Sequence, residues 1–170
     1  MLHIITGPTC SGKNTWVKKH MTNIKQLVTY TTRPIRNNEP KDSYHFINKE
    51  QAKLIADNKK VAKTTHNNYE YFIHTDDLIN QTDIEQYIIL DPSGVKDIDA
   101  IGIPYYLTIL SCSFETRKNR FIQRQKISNE DAIFLFTERC KTEINAFDDM
   151  LYAISNNALK PKKIQKVITD

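Results

Sequence analysis

Apolar residues along this chain fall in short separated runs, and the spacing of those runs predicts the elements. Residues 2–6, "LHIIT", form a buried-strand pattern that ends in a glycine loop. The stretch after Lys13 holds no helix breaker until about residue 25, so strand, loop and helix follow one another. A second strand is expected over "QLVTYTT" (26–32), which is rich in β-branched residues. From Arg33 to about Ile84 the pattern changes: Pro34, Pro40 and Asn pairs punctuate short β-like pieces such as "YHFI" (44–47) and "YEYFIHT" (69–75), and the segment reads as an insert. "QYIILD" (86–91), "IPYYLTILSC" (103–112) and "MLYAIS" (150–155) are expected as further strands, with a long polar helical region between the last two. Strands alternating with helices predict a mostly parallel sheet covered on both faces.

Composition narrows the class. With 170 residues, 39% hydrophobic and 26% charged, one compact domain is expected, long enough to bury a real core. No run approaches about 18 uncharged apolar residues and no charged-then-apolar leader precedes the first strand, so the expectation is a cytoplasmic protein without a membrane partner. Cys10, Cys112 and Cys140 make no Cys-x-x-Cys pair and leave one thiol over, which argues against a zinc site or disulfide framework. A net charge of +4 suits small anions but does not by itself point to nucleic acid. The basic stretch "TRKNRFIQRQK" (116–126) has Phe121 as its one aromatic residue, and no nucleic-acid partner is expected.

The candidate chemistry begins at "GPTCSGKNTW". Two of the four glycines, Gly7 and Gly12, lie within six residues, between an apolar strand and a helix, followed by Lys13. That is the context of a phosphate-binding loop: glycines let backbone N–H groups converge on phosphate oxygens, the helix amino terminus adds partial positive charge, and the lysine neutralises the transferring phosphates. Gly7, Pro8, Thr9, Cys10, Ser11, Gly12, Lys13, Asn14 and Thr15 are therefore the candidate donor-phosphate residues. Asn14 stands where the pattern asks for a magnesium-binding hydroxyl. Its amide oxygen can coordinate magnesium directly or through water. Thr15 is about 100° farther round the helix and cannot simply replace it.

"GPTCSGKNT" followed by "VTYTTRPIRNNEPKDSYHF" resembles the guanylate kinase family, whose members carry a Gly-Pro-Ser-type loop and then a Ser-x-Thr-Thr-Arg-x-x-Arg-x-Gly-Glu segment leading to a tyrosine. The likeness continues through "LDPSG" (90–94), the arginine-rich region and "ISNN" (154–157). It implies a three-layer α/β P-loop fold with a mostly parallel central sheet, built as a core (1–32, 85–115, 148–170), a small β-rich nucleotide-binding insert (33–84) and a helical lid (116–147). By the same resemblance Arg33 and Arg36, with Thr29, Tyr44 and Tyr71, hold the acceptor phosphate. Two guanidinium forks beside hydroxyls independently suit a phosphate dianion. The loop before Tyr44 is one residue short, with Asn38 in place of the family's glycine.

Arg117, Arg120 and Arg124 recur at spacings of three and four, on one helical face, where like charges are either a solvated surface or an anion site. The resemblance makes Arg124 and Arg139 the best matches to lid arginines, with Phe134 at a catalytic arginine position in another alignment. The implied reaction is transfer of the ATP γ-phosphate to a nucleoside monophosphate with Mg2+, in which Lys13, Arg33, Arg124 and Arg139 act by positioning and charge neutralisation. The guanine-reading carboxylates of the family correspond here to Lys63 and Ser93, while Asp91 keeps the first acid of an Asp-x-Asp pair. A lysine accepts no hydrogen bond, so either the segment is displaced and Glu70 or another acid reads guanine, or the acceptor carries a different base. A sugar-phosphate kinase and a catalytically inactive nucleotide-binding scaffold stay as alternatives.

Overall fold

A computed structural model describes residues 1–37, 39–66, 68–79, 84–125 and 127–169. The missing family glycine at Asn38 and the end of the basic stretch, Lys126, lie outside the described residues. Five parallel strands form the main sheet: β1 (Leu2–Thr6), β2 (Lys25–Gln26), β7 (Gln86–Ile89), β8 (Tyr105–Ser111) and β9 (Lys163–Ile168), in the order β2-β7-β1-β8-β9. β1 sits at the centre, and its near-continuous apolar run is what a strand covered on both faces requires. Ile4 and Ile5 are both fully buried but on opposite faces: Ile4 packs with Val95, Ile98, Leu107 and Met150, and Ile5 with Val17, Met21 and Leu110. The helices on the two faces are α1 (Lys13–His20) on one side and α4 (Pro92–Ala100) with the C-terminal part of α6 (Asn129–Ser155) on the other, giving three layers.

A second sheet carries β3 (Tyr30–Thr31), β4 (His45–Phe46), β5 (Lys60–His66) and β6 (Tyr69–His74) in the order β4-β3-β6-β5. Its register puts Thr31, Phe46 and Tyr71 side by side on one face and Tyr30, His45 and Phe72 on the other. Two short helices flank it, α2 (Lys49–Leu54), opened by an Asn48–Gln51 capping box, and α3 (Thr75–Ile79). The single strand expected over 26–32 is thus two pieces in different sheets. Leu27 keeps a backbone bond to Tyr87 and buries its side chain in the core, and the chain then leaves one sheet to join the other. β-Propensity marks extended backbone, not the sheet it enters.

The expected last strand over "MLYAIS" is also corrected. These residues are the final turns of the 27-residue helix α6, where Met150, Ala153 and Ile154 recur on one face against the core. A short apolar run does not by itself separate a strand from a buried helical turn. The true last strand, "KIQKVI", is a largely exposed sheet edge with little apolar signal. The helical region before it is two helices, α5 (Phe114–Arg124) and α6, each opened by a serine whose hydroxyl accepts a first-turn N–H: Ser113 from Thr116 and Ser128 from Asp131. Among the described residues no helix is long and apolar enough to cross a membrane.

Candidate active site

The loop from Gly7 to Gly12 joins β1 to α1. Gly7 packs so closely that a Cβ there would lie 2.6 Å from the Leu110 carbonyl oxygen and 2.7 Å from Ser11 Oγ. Gly12, at φ 85°, turns the chain into the helix as its N-cap, and Cys10 sits in the same left-handed region at φ 61° without being glycine. On the loop floor the Thr6 and Ser11 hydroxyls are buried with no hydrogen-bond partner among the described residues. Buried hydroxyls nearly always find one, so both are groups that a bound anion or water would satisfy. Thr169, just past β9, donates its hydroxyl to the Ser11 carbonyl at 2.5 Å and ties the loop to the far end of the chain.

Lys13 folds back over this loop, donating to the carbonyls of Gly7 (2.6 Å) and Pro8 (2.9 Å). Burial pushes its ammonium down to about 8, with Arg139 and Arg117 adding repulsion while Glu143 and Cys10 oppose the shift. Asn14 and Thr15 follow in the first turn of α1, both exposed. Among the described residues no cluster of His, Cys, Asp or Glu could hold a metal. Asn14 lines the open cleft beside Lys13, and its amide oxygen is a group that could contribute to magnesium held mainly by substrate phosphates and waters.

Helices α5 and α6 bring arginines onto the loop. Arg117 donates through Nε to the Thr9 carbonyl at 2.8 Å and also reaches Cys140 Sγ and Glu143. Arg120 donates to the Cys10 carbonyl and to Cys112 Sγ, both at 3.3 Å, and Arg124 lies 3.6 Å from Cys10 Sγ. The three-and-four spacing therefore marks one face aimed at the loop. Arg139, on α6, pairs with Glu143 at 3.1 Å. Lys13, Asn14, Arg120, Arg124, Arg139 and Thr169 all line one open cleft of about 1040 Å³. Phe134 is two-thirds exposed on α6. Sequence reasoning passed over Thr169 and Glu143; the latter's one local trace is its spacing of four from Arg139, which also marks ordinary surface pairs.

The second sheet gathers the other candidates. Arg33, 6% exposed, forks onto Glu39 at 2.7 and 2.9 Å, donates to the Pro34 carbonyl and lies over the rings of Tyr44 and Phe46. Its guanidinium is held above the usual arginine range by Glu39, with Tyr71 adding, and Glu39 in turn is lowered to about 2. Tyr44 and Tyr71 meet edge to face at 6.0 Å between ring centres. Thr29, half-buried, accepts the His45 N–H on its carbonyl; Arg36 offers its backbone N–H to Glu39 while its side chain stays exposed. Lys63 is not brought to this group. It pairs with Asp57 at 3.6 Å and Glu70 at 4.0 Å, and Glu70 lies on the opposite face of β6 from Tyr71. Asp91 caps α4, accepting the Gly94 N–H and the Ser93 hydroxyl, both at 2.8 Å, at the carboxyl end of β7.

This architecture is similar to that of a solved guanylate kinase from Anaplasma phagocytophilum, with a TM-score of 0.56 at 14% identity, covering 98% of this chain and 76% of that one. No curated protein matches the chain in sequence. The sequence model of the family described as guanylate kinase does match, over residues 1–169, a span that takes in the glycine loop, both sheets and the arginine-bearing helices. The chain therefore belongs to the guanylate kinase family.

Proposed function

We propose that this protein is an ATP-dependent nucleoside monophosphate kinase that transfers the γ-phosphate to GMP, dGMP or a related (deoxy)nucleoside monophosphate. The observation that carries this reading is the convergence of Lys13 and the arginines of α5 and α6 on one glycine loop that faces an open cleft. Lys13 and the loop amides hold the β- and γ-phosphates of ATP, and Arg120, Arg124 and Arg139 neutralise the moving phosphoryl group. Asn14 would hold magnesium through its amide oxygen, and the ion would supply charge neutralisation to the phosphates. Arg33 and Arg36, with Thr29, Tyr44 and Tyr71, present the acceptor phosphate, whose oxygen attacks in line. No general base is required, because a phosphate monoester is largely ionised near neutral pH. The insert over 33–84 and the lid over 116–147 close on the two nucleotides and exclude water.

The test is an initial-rate panel with ATP and ribo- and deoxy-GMP, AMP, UMP, CMP and TMP, modified deoxynucleotides included. Turnover with at least one acceptor is expected, falling about a hundredfold or more in Lys13→Ala, since one donor to developing phosphoryl charge is worth a few kcal/mol. Near-normal turnover in that variant would sink the loop assignment. Preference for GMP or dGMP would require a carboxylate other than Glu70, which faces away from Tyr71. A second reading, a nucleotide-binding scaffold without catalysis, draws support from Asn14 and from the two carboxylates, Glu39 and Glu143, that already occupy cationic groups. Nucleotide binding with no turnover on any acceptor would favour it.

A further inference from the structure

Among the described residues, Glu143 is the carboxylate that reaches the glycine loop. It projects from α6 onto the phosphate loop, taking the Thr9 N–H on Oε2 at 2.9 Å and the Thr9 hydroxyl on Oε1 at 2.5 Å. The same two oxygens accept from Arg117 at 3.4 Å and Arg139 at 3.1 Å. Its side chain is 20% exposed, and its charge attracts the Lys13 ammonium. A backbone amide of a glycine loop, a hydroxyl, two guanidinium groups and a neighbouring lysine are the partners a phosphate oxyanion seeks. Aromatic contacts of Phe114 and Phe121 with Phe136 already join α5 to α6, so their packing does not depend on a carboxylate there.

We infer that Glu143 is a built-in competitor for polyphosphate: it fills the anion position at Thr9 in the free protein, stores Arg117 and Arg139, and hands both to the donor phosphates when these displace it. The inference rests on the loop being the donor-phosphate site. Two negative groups cannot share one set of donors in a partly buried site, so the carboxylate must leave as the phosphates arrive. The competent fraction of the free protein is then small, and apparent affinity is reduced by that fraction. Release frees both arginines together, because one carboxylate holds both. Glu143 is thus a positioning residue for the reaction and a brake on nucleotide entry.

The experiment measures dissociation constants of inorganic tripolyphosphate and ADP by calorimetry, with melting temperatures, for the natural protein and Glu143→Gln. The glutamine keeps shape and one acceptor but removes the charge. Tripolyphosphate should bind Glu143→Gln about tenfold tighter, and the unliganded variant should melt lower, because two arginines have lost their anion. A residue that merely held the loop in shape would give the opposite sign, weaker binding. If Glu143→Gln does not fold, Glu143→Asp keeps the charge but retracts it by one methylene, and about a threefold tightening is expected. Unchanged or weaker binding by a folded variant, where the natural protein binds, overturns the competitor and leaves the kinase reading standing. Failure of every form to bind either probe overturns both.

Discussion

Lys13 carries the sharpest consequence at the scale of a single residue. Its ammonium is buried against loop carbonyls with Arg117 and Arg139 nearby, and its proton is held only up to about pH 8, well below the ordinary 10.5. A base whose folded pKa is lowered binds fewer protons folded than unfolded between those values, so the free protein gains stability as pH climbs from about 8 toward 10.5. Ligand binding moves the other way, because a polyphosphate needs the charged form. The dissociation constant for ADP should be level up to about pH 8 and then rise by up to tenfold per unit. Calorimetry from pH 7 to about 9.5 checks this, and a flat profile would remove Lys13 from the phosphate contacts. The loop was legible because everything that defines it is local: two glycines, a lysine, a strand before and a helix after. Glu143 was not, because its meaning comes from Thr9, 134 positions away.

Elements were legible where pattern and burial agree, and failed where one run could serve two structures. "LHIIT" and "YYLTILS" are buried on both faces, "QYII" alternates buried with half-buried positions, and all three read as strands. "MLYAIS" is as apolar but lies on the end of α6, where fully buried Met150 is pinned between α4 and the sheet. Replacing Met150 by Ala should cost about 2–5 kcal/mol, as for a buried methionine whose cavity cannot collapse. Chemical denaturation measures it, and a loss under about 1 kcal/mol would deny that this turn anchors the helix. Lys63, matched by resemblance to a carboxylate position of the family, pairs with Asp57 and Glu70 and lies apart from Tyr71. The pairing of β5 with β6 slips between Val61 and Thr64, a bulge that residue matching along the chain does not register. Ala62, at φ 51°, marks the irregularity in the backbone, yet nothing in its residue type announces it.

At the scale of the molecule, two cationic groups belong to two different sheets. Lys13, Arg117, Arg120, Arg124 and Arg139 surround a loop of the parallel sheet, whereas Arg33, Tyr44 and Tyr71 sit on the mixed sheet with Glu39, and no hydrogen bond or ion pair found among the described residues joins Arg33 to the loop. Sites without shared partners act independently. Arg33→Ala should therefore leave the affinity for tripolyphosphate within about twofold while raising the acceptor KM or abolishing turnover. A parallel loss of tripolyphosphate binding would mean that the two groups form a single site. The central place of β1 has a further consequence for how this chain acquires its shape. Leu2 pairs with Gln86 on one side and Tyr105 on the other, so the first strand made is among the last to find neighbours. Such distant pairings are slow to form, since a long loop must close before any contact rewards it. The glycine loop packs on Leu110 of β8, so in a refolding experiment polyphosphate binding should appear no earlier than the pairing of β1 with β8.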